Sequence, residues 1–127
     1  MKGLIVDDSK TARILLKRIF AELGHWEILE AENGQEALDR LSEVDSMDLI
    51  CIDWNMPVMN GLEFLKTAKK LPKFSNTWMM MITSETEMDN ISRAMVSGAN
   101  EYVMKPFNKE IILAKLEMMG LSSSGDQ

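Results

Sequence analysis

The side chains of this chain that could do chemistry together are three carboxylates, one hydroxyl and one ammonium. They are Asp7, Asp8, Asp53, Thr83 and Lys105. Each stands just after a short apolar stretch, and the clearest case is Asp53, which ends the run 49–52 and precedes turn-forming Asn and Pro. A carboxylate in that position could serve as a nucleophile or, with its neighbours, hold a hard metal ion.

Short apolar runs alternate along the chain with segments whose apolar residues recur at helical spacing. The predicted strands are 2–6, 26–31, 48–52, 78–82 and 101–104. The predicted helices are 11–23, 35–42, one from Leu62 that ends before Pro72, 85–97 and 107–119. This α/β alternation predicts a doubly wound, five-stranded parallel sheet with helices on both faces, flavodoxin-like if its strand order is 2-1-3-4-5.

In such a sheet the carboxyl ends of the strands line one crevice, so the five side chains would converge there. Three adjacent carboxylates cannot all stay ionised unless positive charge offsets them. Lys105 offsets one of them, and Mg²⁺, bound through oxygen ligands, would offset the rest. We hypothesise that Asp53 attacks a phosphoryl group in line, that Asp8 and Asp53 hold Mg²⁺ with Asp7 acting through water, and that Lys105 and Thr83 bind phosphoryl oxygens.

Each of these residues also has a purely structural interpretation. An Asp-Asp pair before a helix often caps it and interacts with its dipole. Asp53 could be a turn residue, Thr83 a cap and Lys105 a solvated surface charge. The functional interpretation is favoured because all five residues fall at the ends of four strands around a single predicted crevice.

Composition limits the classes of function. A length of 127 residues indicates one domain, and the net charge of −6 argues against nonspecific binding to nucleic acid. The single cysteine, Cys51, lies in a predicted buried strand and is expected to be an inert core thiol in a reducing compartment. No apolar run approaches the length of a membrane span, so we expect a cytoplasmic protein without membrane insertion.

Along nearly its whole length the chain resembles the receiver domain of two-component response regulators. The matching segments are Asp7-Asp8-Ser9, Asp53-Trp54-Asn55-Met56-Pro57, Gly61-Leu62-Glu63, Thr83-Ser84, Gly98-Ala99 and Tyr102-Val103-Met104-Lys105-Pro106-Phe107. Within that family it is most similar to single-domain chemotaxis regulators. A phosphorelay intermediate and an isolated receiver of a larger regulator are the alternatives.

The resemblance implies that Asp53 accepts a phosphoryl group from a histidine kinase, catalyses its own phosphorylation and loses the group by slow hydrolysis. It implies that the backbone carbonyl of Asn55 completes the site for Mg²⁺ (or Mn²⁺), and that Thr83 and Tyr102 form the switch. Asn55 and Glu85 would tune dephosphorylation. The bond from Lys105 to Pro106 is expected to be cis.

The resemblance also implies an output surface on the last two helices and the last strand. Its expected residues are Met88, Ala94, Met95, Tyr102 and Lys109. The expected partners are the kinase, a downstream target for which the flagellar switch is a candidate, and a phosphatase. We expect a monomer with a receiver domain at 1–120 and a flexible C-terminal tail at 121–127.

Two other classes of protein use part of this residue set. A haloacid-dehalogenase-type phosphatase needs a second Asp two residues after the nucleophile as general acid, and this chain has Asn55 there. A pseudo-receiver would keep the fold without phosphorylation, but the acidic residues, Thr83 and Lys105 are all present. Both alternatives are therefore disfavoured.

Overall fold

The computed structural model describes residues 1–122, which form one parallel sheet covered by helices on both faces. The strands are β1 Lys2–Val6, β2 Glu27–Ala31, β3 Leu49–Ile52, β4 Trp78–Thr83 and β5 Glu101–Met104. The helices are α1 Lys10–Leu23, α2 Gly34–Ser42, α3 Gly61–Lys69, α4 Met88–Val96 and α5 Lys109–Met118. The sheet order is β2-β1-β3-β4-β5, so the predicted fold class is confirmed.

Polar side chains fix where four of the helices begin. Ser9 Oγ accepts a hydrogen bond from the Ala12 N–H at 3.2 Å, as expected for an N-cap. Asn33, Asn60 and Asn108 cap α2, α3 and α5 in the same way. Because each cap ends a loop that follows a strand, the caps also define the lengths of the loops at the carboxyl edge of the sheet.

Two apolar clusters, one on each face, hold the sheet in place. One cluster packs alternate sheet residues such as Ile50 and Ile52 against α2 and α3, with Phe64 at its centre. The other packs Ile5 and Cys51 against α1 and α5. All four residues of β3 are buried, as predicted for a central strand covered on both sides.

Apart from one-residue differences at helix ends, the structure differs from the predicted helices in three places. Helix α4 begins at Met88 rather than at 85, because the preceding backbone at Glu85 bonds to Thr83 and Tyr102 instead of entering the helix. Helix α5 begins at Lys109 rather than at 107, because the Asn108 side chain caps it there. A short 3₁₀ helix at Pro72–Phe74 was not predicted.

The apolar face of α5 was also predicted wrongly in part. The helical spacing of Ile111, Ile112, Leu116 and Met119 predicts that all four point inward, but Ile111 is 40% exposed, while Ile112 and Leu116 are fully buried. Leu121, the first residue of the predicted tail, is buried, and its N–H donates to the Leu116 carbonyl at 2.7 Å. The packed chain therefore extends through Leu121, and residues 123–127 of the predicted tail lie outside the described residues. None of the helices in 1–122 combines the length and apolar character needed to cross a membrane.

Candidate functional site

The site is built around the ends of the two central strands, β1 and β3. These strands pair in register from Gly3 with Leu49 to Val6 with Ile52, so Asp7 and Asp53 follow them side by side. The Asp53 N–H donates to the Val6 carbonyl at 2.9 Å, which continues the strand pairing to the nucleophile candidate itself. One carboxylate oxygen from each of Asp7, Asp8 and Asp53 lies within 4.8 Å of the others, so the predicted acidic residues are brought together.

Lys105 reaches the same place from the end of β5. Its Nζ donates to Asp7 Oδ2 at 2.8 Å and lies 3.3 Å from Asp53 Oδ2, which makes it the shared partner of two carboxylates. Its own N–H donates to the Thr83 carbonyl at 2.9 Å, so the end of β4 fixes where the lysine side chain starts. The bond from Lys105 to Pro106 is cis, which confirms that expectation.

Charge at the site is unbalanced, because one ammonium faces two buried carboxylates. Burial raises the pKa of the Asp7 carboxyl, and the neighbouring Asp53 carboxylate raises it further; hydrogen bonds from Lys105 and from the Ser9 N–H counteract this only in part. Burial by itself would lower the pKa of the Lys105 ammonium, but its bonds to Asp7 and its proximity to Asp53 outweigh burial and raise it. The lysine is held charged, while the acids carry more negative charge than it offsets.

The two oxygens of the Asp53 carboxylate have different surroundings. Its Oδ2 faces Lys105, whereas its Oδ1 is buried without a hydrogen-bond partner within the described structure. A buried carboxylate oxygen normally has a partner, so this one is suited to a ligand. Three carboxylates and one ammonium sum to two negative charges, and Asp8 is exposed to solvent beside them. The residues therefore fit a divalent cation with oxygen ligands, such as Mg²⁺.

Thr83 and Tyr102 contact the same peptide segment from two strands. Thr83 is fully buried at the end of β4, and its Oγ1 accepts a hydrogen bond from the Glu85 N–H at 3.2 Å. The half-buried Tyr102 of β5 donates its hydroxyl to the Glu85 carbonyl at 3.0 Å. Burial, with the Glu85 and Asp53 carboxylates, raises the pKa of Tyr102 to about 12, so its hydroxyl stays protonated and can donate.

The two residues expected to tune dephosphorylation flank the site. Asn55 is exposed in the loop between β3 and α3, two residues beyond Asp53. The side chain of Glu85 accepts a hydrogen bond from the Asn90 side chain, which ties it to the first turn of α4. The loop that carries Asn55 returns to the strand at Gly61, where an added Cβ would lie 2.1 Å from the Asp53 carbonyl oxygen. Only glycine allows α3 to begin this close to Asp53.

Two contacts in the surroundings of the site were not predicted from the sequence. The Ser9 N–H donates to Asp7 Oδ1 at 2.8 Å, in addition to the capping role of the Ser9 side chain. Arg13 is buried and donates to the main-chain oxygen of Asp7 at 2.6 Å. An arginine in an amphipathic helix is typical of a solvated surface, and only its position one turn after the Asp-Asp pair could have drawn attention to it.

The expected output surface is only partly exposed. Met88 and Met95 are 72% and 42% exposed, and Lys109 is exposed as well. Tyr102 is half-buried, in reach of both the interior and the surface. Ala94 is fully buried and packs in the core, so its place on this surface was wrong.

The comparisons with known proteins agree with this geometry. The family model of the response regulator receiver domain matches residues 4–117. The chain belongs to that family. It is 39% identical over 126 residues to a chemotaxis protein CheY homolog of Campylobacter jejuni, covering 99% of this chain and 97% of that protein. It is 38% identical over 119 residues to chemotaxis protein CheY1 of Helicobacter pylori, covering 94% of this chain and 96% of that protein.

A solved structure gives the same result for this receiver. Chemotaxis protein CheY4 of Vibrio cholerae superposes with a TM-score of 0.85 at 34% identity, covering 92% of this chain and 96% of that one. The chain is thus a receiver of the CheY type, a signalling protein of two-component systems, as expected from its motifs. The family match spans nearly the whole chain, which disfavours the phosphatase alternative, whereas a pseudo-receiver would also match this family.

Proposed function

We propose that this receiver is switched by phosphorylation of Asp53. The observation that supports this most directly is the Asp53 carboxylate itself, which has Lys105 at 3.3 Å from Oδ2 and a buried, unpartnered Oδ1. A nucleophile needs such an unpartnered oxygen, and a phosphoryl group needs cations around it. The other two carboxylates, whose oxygens lie within 4.8 Å of an Asp53 oxygen, would hold a metal ion, and that ion would supply further positive charge.

The proposed donor is a phosphohistidine on a histidine kinase. Asp53 Oδ1 forms the new P–O bond as the P–N bond to the imidazole breaks, and the imidazole leaves with the bonding electron pair and takes up a proton. Asp7, Asp8, Asp53 and the carbonyl of Asn55 would hold Mg²⁺ (or Mn²⁺), which when bound neutralises phosphoryl oxygens. The Lys105 ammonium pairs with another phosphoryl oxygen, and the Thr83 hydroxyl donates to a third. Hydrolysis by water would then return Asp53 to its free form, with Asn55 and Glu85 setting how readily water reaches the acyl phosphate.

The response would pass from Thr83 to Tyr102. When the Thr83 hydroxyl turns to the phosphoryl group, the hydrogen bond that it accepts from the Glu85 N–H is disturbed. The change would reach Tyr102, because the Tyr102 hydroxyl donates to the carbonyl of the same Glu85. The Tyr102 ring can then move inward and change the surface formed by α4, β5 and α5. Exposed Met88 and Met95 on that surface suit an adaptable protein contact.

The relatives' names support a place in chemotaxis. They are called chemotaxis proteins in Campylobacter jejuni and Helicobacter pylori. For this chain we therefore propose a cytoplasmic, monomeric regulator that receives its phosphoryl group from a chemotaxis kinase. Its target would be a protein of the flagellar switch, and a phosphatase would shorten the signal.

Phosphorylation can be tested with small molecules. Wild-type protein with Mg²⁺ and acetyl phosphate should gain one phosphoryl group per chain, detected by intact-mass spectrometry and lost slowly on standing. Asp53→Asn should gain none, and Asp48→Asn, an exposed acid at the opposite end of β3, should behave like wild type. Wild-type protein that remains unmodified would contradict the proposal, and continuous turnover of phosphate monoesters would favour a phosphatase instead.

Metal binding can be measured separately by tryptophan fluorescence. Trp54 adjoins Asp53 and is half-buried, so Mg²⁺ and then beryllofluoride should each change its emission. Asp53→Asn should abolish the beryllofluoride response, and Trp54→Phe should remove most of the signal while Trp26 and Trp78 remain. No response to Mg²⁺ in the wild-type protein would favour a pseudo-receiver.

A further inference from the structure

Arg13 is a buried cation next to a site that needs positive charge from elsewhere. It is 7% exposed, and the charged side chains buried within 1–122 are Asp7, Arg13 and Asp53. Burying a guanidinium is unfavourable unless its donors are paired. Its partners therefore indicate what it contributes.

The guanidinium joins three segments of the chain. Its Nη1 donates to the main-chain oxygen of Asp7 at 2.6 Å, in a buried bond. Its Nε donates to Glu30 Oε1 at 3.1 Å, and its Nη2 lies 3.6 Å from Glu32 Oε1. One side chain of α1 thus holds the end of β1 to β2 and to the loop that follows β2.

The bond to Asp7 determines where Asp8 sits. The Asp7 carbonyl and the Asp8 nitrogen belong to one planar peptide group, so an arginine that fixes the oxygen also fixes the start of Asp8. The Asp7 carboxylate has other partners, the Ser9 N–H and Lys105. The Asp8 carboxylate is exposed and has no hydrogen bond or ion pair to another residue of the described chain. Its placement therefore depends on its backbone, and so on Arg13.

Two glutamates keep the arginine from opposing a bound cation. Glu30 accepts from Arg13 and, through Oε2 at 2.9 Å, from Lys17 one turn further along α1. The Lys17 bond foremost, and then the Arg13 bond, lower the pKa of the Glu30 carboxyl below its usual value, so it stays ionised at neutral pH. The guanidinium can hold the Asp7 carbonyl while Glu30 and Glu32 offset its charge.

From these contacts we infer that Arg13 is a positioning residue for cation binding. It fixes the Asp7–Asp8 peptide so that the Asp8 carboxylate faces Asp53, and Glu30 offsets its charge. The inference rests on the proposed function to the extent that Asp8 is taken as a metal ligand. The positioning of the peptide itself can be tested without metal.

The chain offers a matched control in Arg40. Its Nε donates to the main-chain oxygen of Glu30 at 3.1 Å, so it too is an arginine bound to backbone beside β2, but it makes no bond to the Asp7–Asp8 peptide. Mg²⁺ affinity would be measured by fluorescence and by calorimetry in wild type, Arg13→Met, Arg13→Lys and Arg40→Met. We expect Arg13→Met to raise the Mg²⁺ Kd about 10- to 100-fold, as for other residues that orient metal ligands. The Mg²⁺ Kd of Arg13→Lys should lie between the values for Arg13→Met and wild type, and the Kd of Arg40→Met should stay within about twofold of wild type.

A second measurement separates positioning from stability. Hydrogen exchange at the Ser9 amide, which is bonded to Asp7 Oδ1, reports the turn in metal-free protein. It should accelerate in Arg13→Met and not in Arg40→Met at equal global stability. If Arg13→Met does not fold, the Mg²⁺ affinity and the Ser9 exchange rate are both measured on Arg13→Lys.

The outcomes distinguish this inference from the proposed function. Wild-type protein that binds no Mg²⁺ would overturn the proposed function, and the Ser9 exchange rates would still decide the role of Arg13. A folded Arg13 variant with wild-type Mg²⁺ affinity and wild-type Ser9 exchange would overturn the inference, because Arg13 would then only stabilise the fold. Glu30→Gln should weaken Mg²⁺ binding less than Arg13→Met does. Its effect should be larger at low than at high ionic strength, because without the Glu30 carboxylate the Arg13 charge is unscreened.

Discussion

Replacing Lys105 with Met removes the ammonium that faces the Asp7 and Asp53 carboxylates. The lysine side chain is 22% exposed, and the two acids are 3% and 8% exposed, so the pairs are largely shielded from water. Methionine keeps the length and much of the apolar stem of lysine. The substitution therefore changes charge far more than packing.

The distances give the size of the effect. At an effective dielectric constant of about 20, attractions over 2.8 Å and 3.3 Å amount to about 6 and about 5 kcal/mol. Most of this is offset in the wild-type protein by the free energy of taking the ammonium out of water. The partial exposure of Lys105 reduces it further. We expect the free energy of unfolding of metal-free protein to fall by about 2–4 kcal/mol near neutral pH.

The loss should depend on pH and on Mg²⁺. Without the lysine, the Asp7 carboxyl, whose pKa burial already raises, will take up a proton more readily in the folded state than in the unfolded state. A folded-state pKa above the unfolded value gives stability that is present at low pH and lost as pH rises through the folded pKa. The deficit of Lys105→Met should therefore be smaller at mildly acidic pH than at neutral pH. Mg²⁺ should stabilise the variant more than the wild type, because it replaces the missing charge.

Urea unfolding followed by circular dichroism measures all of these quantities. Lys109→Met is the matched control, because Lys109 pairs with Glu22 at 3.0 Å but both side chains are about half exposed, at 45% and 57%. That pair should contribute only about 0–1 kcal/mol. If the two variants lose equal stability, or if the loss in Lys105→Met is the same at both pH values and with Mg²⁺, the charge imbalance assigned to this site is wrong.

Three further predictions concern single side chains. Ile52→Ala should lower the free energy of unfolding by about 2–5 kcal/mol, since Ile52 is 1% exposed, whereas Ile111→Ala, at a 40% exposed position, should lose much less. Tyr102 is the only tyrosine, so ultraviolet titration of the native protein should show one phenol with a pKa of about 12. Because the pKa of an unfolded tyrosine is about 10, the free energy of unfolding should fall as pH rises from about 10 to about 12. A native pKa near 10 would refute the burial of Tyr102. Burial raises the pKa of Cys51, the only cysteine, to about 12, so a thiol reagent should label it only at the rate of unfolding; rapid labelling of folded protein would place it at the surface.

The fold was predictable from the sequence because each element has a local signal. The buried run at β3 stands at its predicted position, and α1 ends at Leu23 as predicted, where Gly24 follows with φ 78°. The strand order was taken from flavodoxin-like sheets, to which CheY-type receivers belong, so its agreement is not an independent prediction. The starts of α4 and α5 were misplaced because tertiary bonds at Glu85 and the cap at Asn108 decide them.

The site was predictable in its residue types and less so in its contacts. That Asp7, Asp8 and Asp53 come together follows from the strand ends of a parallel sheet. The sequence holds no sign that Lys105 contacts Asp7 more closely than Asp53, or that Asp53 retains an unpartnered oxygen. Those features depend on side-chain placement across strands separated by about a hundred residues in the sequence, for which no periodicity exists.

The segment between β4 and α4 is the part of the chain best placed to carry a change from the site to the surface. In this segment the Glu85 N–H donates to the Thr83 hydroxyl, and the Glu85 carbonyl accepts from the Tyr102 hydroxyl. Glu85 therefore links the two residues of the expected switch. Glu87, which precedes α4, makes no side-chain cap, in contrast to the four capped helices. A helix start that lacks a capping side chain can shift its first turn at lower cost than a capped one. Movement of the Thr83 hydroxyl should therefore displace the start of α4 and Met88 with it, while β4 and β5, paired along their length, stay in place.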